Sequence, residues 1–140
     1  MKKLVYALLL LASASFFAAH AQAQVLVIAN PGINAAGISK SDLRDVFTGA
    51  ASSLKKGPHV DPILLKSAAV HEEFLSTFIG ENDIAFRAGW RSLVFSGQGS
   101  MPRTLDSEAA VVDFVAHNPG AIGYIGQASP HAGVKVLAVK

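Results

Sequence analysis

Residues 106–125, DSEAAVVDFVAHNPGAIGYI, read as a helix, a stop and a strand. Asp106 is placed to cap the helix, and Glu108 puts a negative charge in the first turn, where the helix dipole favours it. Val111, Phe114 and Val115 recur at helical spacing and form an apolar stripe. Asn118-Pro119-Gly120 ends the helix: Pro119 cannot continue it, and Gly120 can take the left-handed cap. Ala121–Ile125 (AIGYI) then follows as a short apolar run with the length of a buried strand. Gly123 within it predicts a close approach by a neighbouring backbone. The segment is read as architecture, and it sets the expectation of strands alternating with helices.

The same alternation continues on both sides. Val134–Val139 (VKVLAV) reads as a last strand, and Ser96–Pro102 (SGQGSMP) as a glycine-rich loop after a brief apolar stretch, Leu93–Phe95. Asn82 can cap a helix covering Ile84, Ala88 and Trp90. Before it, a helix from about Ala68 to Ile79 carries Val70, Phe74 and Phe78 on one stripe, with Gly80 as its stop. Val60–Leu65 is a strand interrupted by Pro62, which predicts an edge position or a late start at Ile63. Ala50–His59 is a polar loop containing Lys55 and Lys56. Ser39, with Asp42 three residues on, resembles a capping box and opens a helix whose face is Leu43, Val46 and Phe47, closed by Gly49. Val25–Ala29 (VLVIA) is the first strand, ended by Asn30-Pro31-Gly32. The expected fold is a three-layer α/β/α domain with a mostly parallel sheet.

Residues 1–23 read as a secretion signal. Lys2 and Lys3 precede an apolar run from Leu4 to Ala12, and both Ala19-His20-Ala21 and Ala21-Gln22-Ala23 fit an A-x-A cleavage site. The run is short for a membrane span, which takes about 20 residues. The expectation is a periplasmic or secreted protein, with residues 24–140 as one domain and no membrane span after cleavage. The chain has 12 Lys and Arg against 10 Asp and Glu, and loss of Lys2 and Lys3 makes the two counts equal. A neutral domain lacks the basic field of a nucleic-acid binder, so no nucleic-acid partner is expected. Absence of cysteine excludes a disulfide framework, a thiolate metal site and a lipid-anchored cysteine.

Several stretches together resemble the phosphate-binding proteins of ABC transporters, which have the type II periplasmic binding protein fold. Trp90, the loop SGQGS, the helix DSEAAVVDFVAHN and Pro119-Gly120-Ala121-Ile122-Gly123-Tyr124 follow the order in which that family closes its final lobe. Ile38–Gly49 (ISKSDLRDVFTG) is similar to the family's I-S-x-x-x-L-x-x-I-F-x-G segment. The resemblance implies one lobe of such a receptor: a non-enzymatic, solute-binding-like protein with an inorganic oxyanion such as phosphate as its ligand, and no cofactor. It also places the anion-binding turn at Ser67-Ala68-Ala69-Val70, where the family carries Gly-Ser-Gly-Thr. Both gripping hydroxyls are replaced here, by Ala68 and Val70. Two lost charge-assisted bonds, at about 1.5–3 kcal/mol each, weaken binding by roughly two to four orders of magnitude. Ser67 either replaces a lost hydroxyl or caps the helix. Lys66 and His71 flank the turn, either as solvated surface groups or as added positive charge. Gly97, Gly99 and Arg103 offer a second set of anion donors, loop amides beside a guanidinium fork.

Enzyme motifs are missing. His71-Glu72-Glu73 begins like a zinc-protease helix, but Leu75 stands where the second histidine belongs, and the five histidines show no ligand spacing. Gly97-Gln98-Gly99-Ser100-Met101-Pro102 has Pro where a dinucleotide loop needs its third Gly. An alternative function is an interaction scaffold that docks an envelope sensor or transporter protein, or pairs as a homodimer. Its contact would lie between Ala50 and Pro58 and on the apolar positions where a second lobe would sit.

Overall fold

The computed structural model describes residues 24–54, 57–66 and 68–140. The secretion signal, Lys55, Lys56 and Ser67 lie outside the described residues. Six strands form one mixed sheet in the order β2-β6-β1-β5-β3-β4. They are β1 (Val25–Ala29), β2 (Gly37–Ile38), β3 (Asp61–Leu65), β4 (Arg103–Leu105), β5 (Ala121–Gly126) and β6 (Lys135–Val139). β3 runs parallel to both β4 and β5, and β2 parallel to β6, while β1 is antiparallel to β5 and β6. Helices cover both faces, which makes the fold α/β in three layers. Gly123 of β5 explains how close one of them comes. A Cβ there would lie 3.0 Å from Val111 and 3.4 Å from Val115 of α4 (Glu108–His117). The neighbour that Gly123 admits is therefore a pair of valine side chains, not a backbone.

The opposite face carries α1 (Lys40–Thr48), α2 (Ala69–Phe74) and α3 (Asp83–Phe95). Phe47, Phe74 and Tyr124 join α1, α2 and β5 in one fully buried aromatic cluster; Phe74 lies flat on Tyr124 with ring centres 3.9 Å apart. The indole N–H of Trp90 donates to the Phe47 carbonyl at 2.9 Å and ties α3 to the end of α1. Asn30, buried after β1, donates to the Val115 and Ala116 carbonyls and accepts from the Gly32 amide, anchoring the end of α4 across the sheet.

Most boundaries follow the sequence chemistry. Ser39 accepts from the Asp42 amide and Asn82 from the Ala85 amide, each satisfying a first-turn donor. Gly49, Gly80 and Gly120 all take positive φ at the ends of helices. Five details differ. α4 is capped by Ser107, whose hydroxyl accepts from Ala110, and not by Asp106. The cap position of α2 is Ala68, which supplies no side-chain bond, and the expected cap Ser67 lies outside the described residues. α2 continues directly into a π-helical turn, Leu75–Ile79, and its buried face adds His71, Leu75 and Ile79 to Phe74, with Val70 and Phe78 only partly buried at its margins. α3 absorbs Leu93–Phe95 and buries Phe86 and Trp90, leaving Ile84 and Ala88 exposed. Pro62 sits inside β3, where it pairs with Ile122; β4 begins only opposite Ile63, so the proline faces a locally open edge.

Candidate functional site

β3 ends at Leu65, and the turn into α2 stands at the carboxyl end of this central parallel strand. Crevices beyond such ends are where open α/β sheets take ligands. Lys66 and Ala68 are exposed there, as is Ala69 at the start of α2, and Val70 is half-buried. Ser67, in the middle of this turn, is outside the described residues. Lys66 Nζ stands 3.7 Å from Asp106 Oδ1, with both side chains largely in solvent, a pair worth little. Val70 lies against Gly126 on the other side; a Cβ on Gly126 would meet it at 3.3 Å. Glu108 of α4 borders the same end, accepting from the Gly126 amide and the Ser129 hydroxyl.

The remaining anion candidates do not join this turn. Arg103 opens β4 opposite Ile63, toward the start of β3, and its guanidinium lies 5.0 Å over the Phe114 ring. Gly99 and Arg103 border a groove of about 580 Å³ with Trp90, His59 and Asp61, whereas Gly97 turns the chain at positive φ with open space around it. None of Lys66, Ala68, Ala69, Val70 or His71 borders that groove. The sequence candidates therefore form two separate places.

His71 corrects the sequence reading most. It is a buried side chain, 0% exposed, and not a solvated one. Its Nδ1 meets the Tyr124 hydroxyl, and its Nε2 stands 2.7 Å from Asp83 Oδ1. The Tyr124 hydroxyl also accepts the Leu65 amide at 3.0 Å. That leaves the phenol proton for His71 Nδ1, and His71 Nε2–H for the Asp83 carboxylate. Arg87, one turn along α3, places its Nε 3.0 and 2.9 Å from the two Asp83 oxygens. Burial raises the Asp83 pKa, but the bonds from His71 and Arg87 outweigh it and hold the carboxyl below its ordinary value. Burial is also the main cause that pushes the Tyr124 phenol well above its usual value, against the Leu65 bond.

An Asp-His-hydroxyl chain has the form of a catalytic triad. Here its terminal hydroxyl is fully buried and already engaged by a backbone amide, so no substrate atom can reach it. The chain instead fixes α2, α3, β3 and β5 to one another just behind the exposed turn. Sequence reasoning missed Asp83, Arg87 and Tyr124 as members of this network. The Asp83–Arg87 spacing of four residues was the one available signal. Among the described residues no cluster of His, Asp and Glu is arranged to hold a metal ion.

No family model and no curated protein matches the sequence. Solved structures do match the fold. An ABC-type phosphate transport receptor from Vibrio cholerae superposes with a TM-score of 0.64 at 15% identity, over 82% of this chain and 45% of the receptor. PstS from Borrelia burgdorferi gives 0.64 at 19% identity, over 83% of this chain and 47% of its own. A putative phosphate ABC transporter substrate-binding protein with bound phosphate, from Clostridium perfringens, gives 0.63 at 14% identity and 82% coverage of this chain. The chain has the fold of one part of these receptors. It spans less than half of each receptor's length. Among the described residues no helix is long and apolar enough to cross a membrane.

Proposed function

We propose that the protein is a non-enzymatic binding module of the solute-binding type, exported through its N-terminal signal and directed weakly at small oxyanions such as phosphate. The observation that carries the reading is an open turn at the end of β3 in a fold shared with phosphate receptors. Ala68 and Ala69 are exposed and small there, with Lys66 beside them. Small side chains leave backbone amides accessible, and amides with a lysine suit a compact anion. Behind the turn, His71 is buried and the Tyr124 hydroxyl that it meets is buried and held by the Leu65 amide, which supports binding without chemistry.

The test is thermal unfolding in phosphate, sulfate and chloride at matched ionic strength. A ligand specific to the native state raises Tm with the logarithm of its concentration above Kd. Phosphate is expected to do so, and Lys66→Ala to reduce the effect. Identical curves in all three salts would remove the oxyanion reading.

A second reading, a scaffold that docks another envelope protein, is favoured by one surface. Ile84 and Phe95 are 78% and 91% exposed on a single face of α3, with Ala88 between them. This stripe is an exposed apolar surface among the described residues. Docking through it requires that Ile84→Ser with Phe95→Ser weaken complex formation in the envelope while leaving Tm unchanged.

A further inference from the structure

We propose that Asp83 is a built-in competitor for the oxyanion: its carboxylate already fills the corner made by the Arg87 guanidinium and the His71 Nε2–H, and an external anion enters that corner only by displacing it. The inference rests on the oxyanion reading above and names how that binding is restrained.

The geometry is that of an occupied anion site. Both Asp83 oxygens are held by Arg87 Nε at 3.0 and 2.9 Å, and one of them also stands 2.7 Å from His71 Nε2. His71 is fixed from behind by Tyr124, so its Nε2–H keeps pointing at whatever fills the corner. The corner is reachable: the Asp83 and Arg87 side chains are 28% and 33% exposed, while His71 is completely covered. It also adjoins the proposed binding turn, because Ala69, Asn82 and Asp83 border one shallow groove.

A carboxylate attached to the chain is a strong competitor. Its effective concentration is far above that of a free ligand, since no translational freedom is lost when it binds. Glu72, Glu73 and Glu81 border the same groove and add to the repulsion of anions from that side. Weak binding then has two causes on this chain. Ala68 and Val70 lack the hydroxyls of the family's turn, and the nearest guanidinium and imidazole N–H are already engaged by Asp83.

Removing the carboxylate separates the two causes. Asp83→Ala is expected to bind inorganic phosphate at least about tenfold more tightly than the unaltered protein, by titration calorimetry at physiological ionic strength. Formate and acetate, which reproduce the lost group, are expected to raise the Tm of Asp83→Ala and to leave the unaltered protein as it is. Adding Arg87→Ala to Asp83→Ala should abolish the gain. Asp83→Asn, which keeps the size and removes the charge, serves the same purpose should the alanine variant not fold, with a smaller gain expected.

Phosphate binding by the unaltered protein with no gain in either variant overturns the competitor role and leaves the oxyanion reading standing. Binding by the Asp83 variants alone supports the competitor role and removes the oxyanion reading for the natural chain. No binding by any of them removes both. A gain that survives Arg87→Ala places the new ligand elsewhere and also overturns the proposal.

Discussion

Tyr124 hydroxyl serves two partners at once, the Leu65 amide and His71 Nδ1, while its ring lies on Phe74. Tyr124→Phe keeps the ring and removes the oxygen, leaving a buried amide and a buried imidazole nitrogen with a partner missing. Each such loss costs about 1–3 kcal/mol, so the variant should be destabilised by roughly 2–4 kcal/mol in urea unfolding. A change below about 1 kcal/mol would mean that water replaces the hydroxyl. Asp83 predicts the acid limb. Its folded pKa lies below the ordinary 3.8, so the unfolded chain takes up the proton first as pH falls. The stability it contributes is present above that ordinary value and is lost as pH drops through the lowered one. Asp83→Asn should therefore be less stable than the natural chain at pH 7, with the gap closing below about pH 4. Urea midpoints measured from pH 7 to pH 2 would show this, and parallel curves would contradict it.

Helix ends show what an element owes to single positions. Gly49 closes α1 at φ +80°, and a Cβ there would come within 2.8 Å of the Trp90 ring and 2.6 Å of Leu93. Gly49→Ala meets the left-handed penalty of about 1–2 kcal/mol and a clash with α3 besides. The expected loss is about 2–4 kcal/mol by denaturant unfolding, while Gly80→Ala, with nothing within 4 Å, should cost only the left-handed penalty. Such stops were legible in the sequence, as were the caps at Ser39 and Asn82, because each depends on chemistry within four residues. The π-helical turn was not. The apolar pattern does not reveal it, because His71, Phe74, Leu75 and Ile79 still recur at i, i+3, i+4 and i+8 through the π-helical turn. Asp106 and Ser107 are adjacent residues that both suit a cap, and only the backbone decides which reaches the Ala110 amide. β2 and β4, at two and three residues, are too short to carry an alternation pattern. At the site, the Lys66–Val70 turn was legible through the order of the surrounding segments. The joining of His71 to Asp83 was hidden, since it depends on how α2 packs against α3.

At the scale of the whole molecule, magnitude decides what kind of binder this fold can be. The chain matches only 45% of the Vibrio cholerae receptor, and under the proposed function the described residues would supply one wall of a site. For the best very small ligands, affinity reaches about −1.5 kcal/mol per non-hydrogen atom, which for the five atoms of phosphate gives a ceiling near −7.5 kcal/mol. The two hydroxyl contacts replaced by Ala68 and Val70 remove about 3–6 kcal/mol of that. What is left is about −4.5 kcal/mol or weaker, a Kd on the order of 1 mM or above. Titration calorimetry on the isolated protein should therefore give millimolar phosphate affinity, with heats that shrink as salt rises, because the donors face open water. A micromolar Kd would require contacts that a single open wall does not provide. Sedimentation in the same phosphate concentrations would then show whether a second copy supplies them: a dimer that appears only with phosphate would supply the missing wall, and a monomer throughout would refute the one-walled account of the site.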